Sequence, residues 1–105
     1  MLKEYDSTER KVLKNFFGAY FNEDWDLEAD TPEGIVSIFV NETPRQERMA
    51  LRNAILNYME QPATDSELWE RMFSELGCYY RPPSDTPSAR SWLQSVADQL
   101  IGVVS

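Results

Sequence analysis

Five short segments of this sequence carry helix-start signals, and together they leave the chain little choice of fold class. "DSTE" at Asp6 to Glu9 and "TDSE" at Thr64 to Glu67 each place an acid or hydroxyl side chain three residues before a glutamate. Such a side chain accepts a hydrogen bond from a first-turn N–H that has no partner inside the helix, and the glutamate reaches back to the N–H of the cap. "TPEG" at Thr31, "TPRQ" at Thr43 and "TPSA" at Thr86 place threonine at the cap and proline at the first helical position. Proline loses nothing there, because the N–H it lacks would have been unpaired. These signals predict five helices, over about residues 6–21, 32–41, 44–60, 65–76 and 87–104.

The apolar residues between the starts recur at helical spacing. Leu13, Phe16, Phe17 and Tyr20 mark the first helix, and Leu51, Ile55, Tyr58 and Met59 one face of the third, with Arg45, Arg48 and Arg52 on another. Leu68, Trp69, Met72, Phe73 and Leu76 mark the fourth, which then meets Gly77, a residue suited to a left-handed cap. Trp92, Leu93, Val96, Leu100 and Val103 or Val104 mark the last. "GIVSIFV" from Gly34 is ambiguous, since its β-branched residues would suit a buried strand; the Thr-Pro-Glu start before it decides for helix. With no repeat, linker or low-complexity stretch, the 105 residues read as one domain, 1–105, able to bury roughly 65% of its unfolded surface. The fold class is all-α, a compact single-domain bundle of about five helices.

Composition removes most chemistries. There is no histidine, the commonest general base and metal ligand, and the one cysteine, Cys78, can form neither an internal disulfide nor a thiol–imidazole dyad. A lone cysteine fits a reducing compartment. No glycine-rich phosphate loop appears, and zinc ligation by Cys and His is excluded by count. "NEDWDLEAD" lacks the glycine and ligand spacing of a calcium loop. Paired carboxylates such as Asp24 and Asp26, or Glu23 and Asp26, are the surviving route to catalysis, but that route needs a cleft and separated pKa values. The reading is therefore a non-enzyme with no cofactor and no metal. "MLKEYDSTER" has charges where a secretory signal needs an apolar stretch, and no apolar run approaches the ~20 residues of a membrane span. A soluble cytoplasmic protein is the expectation.

The net charge of −8 is concentrated in one place. From Asn15 to Pro44 there are seven acids (Glu23, Asp24, Asp26, Glu28, Asp30, Glu33 and Glu42) and no base, so the rest of the chain is almost neutral. Such a field disfavours nucleic acid and anionic membranes as direct partners, because both require basic residues against phosphate. It favours a cationic protein, which it would steer during encounter. Within "NFFGAYFNEDWDLEAD" the rings of Phe16, Phe17, Tyr20, Phe21 and Trp25 are read as core that pins the end of the first helix. Asp30 and Glu33 are explained by the favourable field at the start of the second helix. Glu23, Asp24 and Glu28 have no such role and are the better candidates for an outward contact surface.

A second stretch, "LGCYYRPPSDTPSARSWL" from Leu76, has paired prolines that impose an extended path. On it Tyr79 and Tyr80 are either core anchors or, with Arg81, an exposed contact of the kind enriched at interface hot spots. "FFGAYFNEDWDLE" from Phe16 and "LGCYYRPPSDTPSARSWLQSV" from Leu76 resemble the small immunity proteins of bacterial contact-dependent growth inhibition systems, the CdiI-type family. Members show an aromatic GAYF..DWD run near the N-terminus and a G.YY.P..D..S...WL segment before the last helix. Both occur here in order, and the chain departs from the pattern at Asn22-Glu23 and Thr86-Pro87.

The resemblance implies a cytoplasmic inhibitor of a toxic C-terminal domain, often a nuclease, delivered by a neighbouring cell. Joined to the residue-level reading, it gives tight 1:1 binding of that basic toxin domain, with its active-site surface masked. Motifs shared among proteins that meet different toxins belong mostly to the scaffold. The first candidates for toxin binding are therefore Glu23, Asp24, Asp26 and Glu28, with Tyr80 and Arg81 as a secondary patch. The alternative from another class is an acidic adaptor or regulatory interaction module unrelated to toxin immunity.

Overall fold

The computed structural model describes residues 7–82 and 88–102. Among these residues five α-helices follow one another: α1 (Ser7–Tyr20), α2 (Pro32–Glu42), α3 (Arg45–Tyr58), α4 (Asp65–Leu76) and α5 (Ala89–Leu100), with a 3-10 turn, Trp25–Leu27, between the first two. Among the described residues there is no strand, so the β-branched "GIVSIFV" run is helical, as its start signal dictates. Thr31 Oγ1 accepts from the Gly34 N–H at 3.0 Å, with Pro32 in the first turn. At α4 the capping box is complete: Glu67 N–H donates to Thr64 Oγ1 at 3.1 Å, and Thr64 N–H to Glu67 Oε1 at 2.9 Å. Gly77 ends that helix at φ +75, a conformation that a side chain would strain.

Two starts differ from the sequence reading. Thr43 is the extended residue that ends α2, and Pro44 takes the cap position, so α3 begins at Arg45. One short connection has to serve both helices, which moves the boundary by one residue. In α5 the cap is Ser88, whose Oγ accepts from the Ser91 N–H at 3.2 Å. The signals expected at Asp6 and Thr86-Pro87, and the apolar positions Val103 and Val104, lie outside the described residues.

α3 and α5 pack together through the middle; α1 lies on α3 and α4, and α2 on α5 and α1. The expected faces turn to the core, with Tyr20 and Met59 half-buried at its edge and one residue left outside. Leu68, Trp69, Met72 and Leu76 are in the core, whereas Phe73 is exposed. At about 100° per residue Phe73 falls at the edge of the α4 stripe, where no neighbouring helix covers it.

Two arginines tie helix ends together. Arg90 donates to the carbonyls of Met59 at 3.1 Å and Gln61 at 2.8 Å and pairs with Asp65 at 3.5 Å, which fixes α5 against the connection between α3 and α4. Arg48 donates from Nε to the Thr43 carbonyl at 3.1 Å, and from Nη1 to the carbonyls of Leu100 at 2.9 Å and of Ile101, the residue that caps α5, at 3.2 Å. Those carbonyls have no intrahelical donor, so the guanidinium completes the end of α5. Arg48→Met, which keeps the stem and removes the donors, is expected to cost about 1–3 kcal/mol in urea unfolding. An unchanged midpoint would show that water replaces the guanidinium at no cost.

Candidate functional site

The two stretches singled out in the sequence meet in space. Phe21 ends α1 with its N–H on the Phe17 carbonyl at 2.8 Å, and its own carbonyl accepts from the Tyr79 N–H at 2.7 Å. Phe16, Phe17 and Phe21 are buried as expected, while Tyr20 and Trp25 are half-buried at the edge of the core. Around Trp92 the rings of Phe17, Phe21, Trp69 and Tyr80 gather with centroids at 6.1, 5.3, 5.5 and 4.9 Å. Trp25 stands edge-on to Tyr80 at 5.5 Å. This aromatic cluster locks the connection after α1 to the segment after α4.

Tyr80, a candidate contact residue, is thus half-buried among Phe21, Trp25, Trp69 and Trp92. Burial, and then the charge of Glu33, hold its hydroxyl above the usual tyrosine range, so it stays protonated. Its neighbour Tyr79 is the exposed ring of the pair. Arg81 is exposed and lines a groove with Trp69, Phe73 and Tyr79, apart from the acidic candidates.

The connection from Asn22 to Asp30 displays the carboxylates. Asn22 Oδ1 accepts from the Asp24 N–H at 2.9 Å, a side-chain-closed turn that reverses the chain directly after the helix. The 3-10 turn follows, with Leu27 N–H on the Asp24 carbonyl at 3.0 Å and Glu28 N–H on the Trp25 carbonyl at 3.1 Å. This tight path sets Trp25 against the core while Glu23, Asp24, Asp26 and Glu28 remain exposed. Among the described residues no ion pair engages any of the four.

Asp24 and Glu28 come together with Glu42 around a groove of about 430 Å³ between this connection and α2. Tyr20, Trp25, Leu27, Ile35 and Ile38 form its apolar walls, and every described charged residue lining it is acidic. Glu23 and Asp26 belong to the same connection without lining the groove. Tyr20 donates its hydroxyl to Glu42 Oε1 at 3.3 Å, which steadies that carboxylate on the rim. Burial, and then Glu42, raise the Tyr20 hydroxyl, so the donor keeps its proton.

Glu42 and Leu27 were missing from the candidates. A signal for Glu42 existed: Ile35, Ile38 and Glu42 recur at i, i+3 and i+7, which places them on one helical face. Nothing local marks Leu27, which is 80% exposed.

An aromatic-walled groove with three carboxylates is suited to a cationic group carried on an apolar stem. Reactive groups are elsewhere or shielded. The Cys78 thiol is buried, and burial pushes it up to about 12, so it is neither ionised nor accessible. Among the described residues no three acids or cysteines converge closely enough to hold a metal ion, and no helix is long and apolar enough to cross a membrane.

The family model for CdiI immunity protein matches residues 9–100, which includes every candidate residue above. The fold is similar to a chain in the crystal structure of the CdiA-CT/CdiI complex from Y. kristensenii 33638, with a TM-score of 0.75 over 90% of this chain and 95% of that one, at 22% identity. No curated protein matches the sequence.

Proposed function

The chain belongs to the CdiI immunity protein family, and from that premise we propose that it protects the cytoplasm by binding a toxic C-terminal domain and covering a basic surface of it. The partner is the toxin domain of the same inhibition system, and a nuclease fits best. A nuclease holds a polyanionic substrate on a basic face, so an acidic protein seated there competes with the substrate for the same charges. Binding alone accomplishes this, with no turnover and no cofactor. The fold shared with a chain of a CdiA-CT/CdiI complex supports a partner of that kind.

The observation that carries the reading is the state of the acidic connection. Four carboxylates are exposed, none is in an ion pair with a described residue, and two of them share a groove with Glu42. Acids gathered on one connection without a base make a negative local field, and a cationic partner is drawn to it. The test is co-expression with the toxin domain encoded beside the gene, scoring growth and co-purification. Growth rescue together with a stable 1:1 complex is expected. Cell death at full expression of this chain, or rescue without a complex, would contradict direct neutralisation.

A further inference from the structure

Charge complementarity governs how fast partners meet more than how long they stay together, and retention usually rests on a few desolvated apolar anchors. A standard interface engages about 20–30 residues on each side, whereas ten of the described residues line the acidic groove. A footprint centred on that groove must therefore spread, and the exposed apolar side chains indicate where. Phe73 is 54% exposed and Tyr79 49% exposed. Their rings stand edge-to-face with centroids 4.9 Å apart, over a second groove of about 380 Å³ that Trp69 and Tyr80 also line.

The second groove adjoins the first across a single ridge. Trp25 lines the acidic groove, Tyr80 lines the aromatic one, and their rings meet at 5.5 Å and 90°. The hydrogen bond from Tyr79 N–H to the Phe21 carbonyl ties the segment that carries Tyr79 and Tyr80 to the end of α1, from which the acidic connection starts. Resting on the toxin-binding reading above, we propose that the footprint crosses this ridge: basic groups of the toxin domain meet the acidic connection, and an apolar element of the same domain docks on Phe73 and Tyr79. Charge also selects this occupant over a second copy of the chain. A two-fold contact through Phe73 and Tyr79 would bring two unpaired acidic connections towards each other, and like charges facing across an interface are unfavourable.

The two parts of the surface then act on different rate constants. Phe73→Gln with Tyr79→Ser, measured by surface-immobilised kinetics against the purified toxin domain, should speed dissociation by about tenfold or more. Association should stay within about twofold, with its salt dependence intact, because no charge is altered. Circular dichroism and the thermal midpoint report on the fold; if the double variant loses helicity, Phe73→Gln alone, at an exposed helical position, is measured for the same acceleration. Unchanged dissociation from a wild-type chain that binds tightly would overturn the extended footprint and leave the immunity reading standing. A wild-type chain that does not bind the toxin domain would overturn both. If the free protein sediments as a dimer that the double variant converts to monomer, with toxin dissociation unchanged, the aromatic pair belongs to self-association and the inference fails.

Discussion

Converting Glu23 and Glu28 to glutamine and Asp24 and Asp26 to asparagine in one variant is expected to slow association with the toxin domain by about tenfold or more at low ionic strength. The four substitutions halve the net charge of −8 and act on the region that concentrates it. Association of the wild-type chain should fall steeply between 0.01 and 0.15 M salt, where the Debye length shrinks from about 30 to about 8 Å. The variant should show a much flatter dependence.

Its fold should be unchanged. The turn is held by the Asn22 side chain and by backbone hydrogen bonds at 3.0 and 3.1 Å, none of which uses a substituted carboxylate. Asp24→Asn with Glu28→Gln should also slow association more than Glu23→Gln with Asp26→Asn, because only the first pair lines the groove. An on-rate indifferent to all four carboxylates would remove this connection from the interface.

The largest stability effect is expected for Trp92→Ala. Trp92 is buried and touches rings from α1, α4 and the segment after α4, so its removal opens a cavity that no single neighbour can fill. Losses of about 3–5 kcal/mol are usual for such truncations, against a total stability of about 5–15 kcal/mol for a domain of this size. The thermal midpoint should fall by about 12 °C or more. Trp92→Phe keeps a ring in place and should lose much less.

Trp92→Ala separates scaffold from contact surface. It should weaken toxin protection through loss of the folded state, with reduced helicity at growth temperature, whereas the amide variant weakens binding in a folded chain. A midpoint within a few degrees of wild type would mean that the aromatic cluster is not what holds the two connections together.

The secondary structure was legible because its determinants are local. A threonine cap, a proline in the first turn and a glycine at φ +75 each act within a few residues. The misplacements are equally physical. The Thr43–Pro44 boundary shifted because two helices share one short connection. Phe73 shares the apolar spacing of α4 yet stands exposed, because periodicity reveals a stripe but not its edges, and an edge residue is buried only if a neighbour reaches it.

Tyr79 and Tyr80 present the same limit in an extended segment. Successive side chains there face opposite ways, and composition does not say which of two adjacent tyrosines turns inward. The structure turns Tyr80 towards Trp92 and leaves Tyr79 outside, so the sequence favoured the half-buried ring as a contact while the exposed one now carries the further proposal. Arg48, which composition would count simply as a surface charge, proved to be the donor that finishes a helix far along the chain.

By itself the sequence determined that the chain is helical, that it carries little reactive chemistry, and that nearly all its net charge lies between Asn15 and Pro44. These are sums over residues or effects of immediate neighbours, and no folding is needed to evaluate them. Tertiary structure alone decided that Glu42 joins Asp24 and Glu28 at one groove, that the two aromatic motifs form one cluster, and that Phe73 and Tyr79 stand exposed beside it. Whether a side chain is buried, and which charges share a concavity, depends on how distant helices pack, and that information lies in no single stretch of the chain.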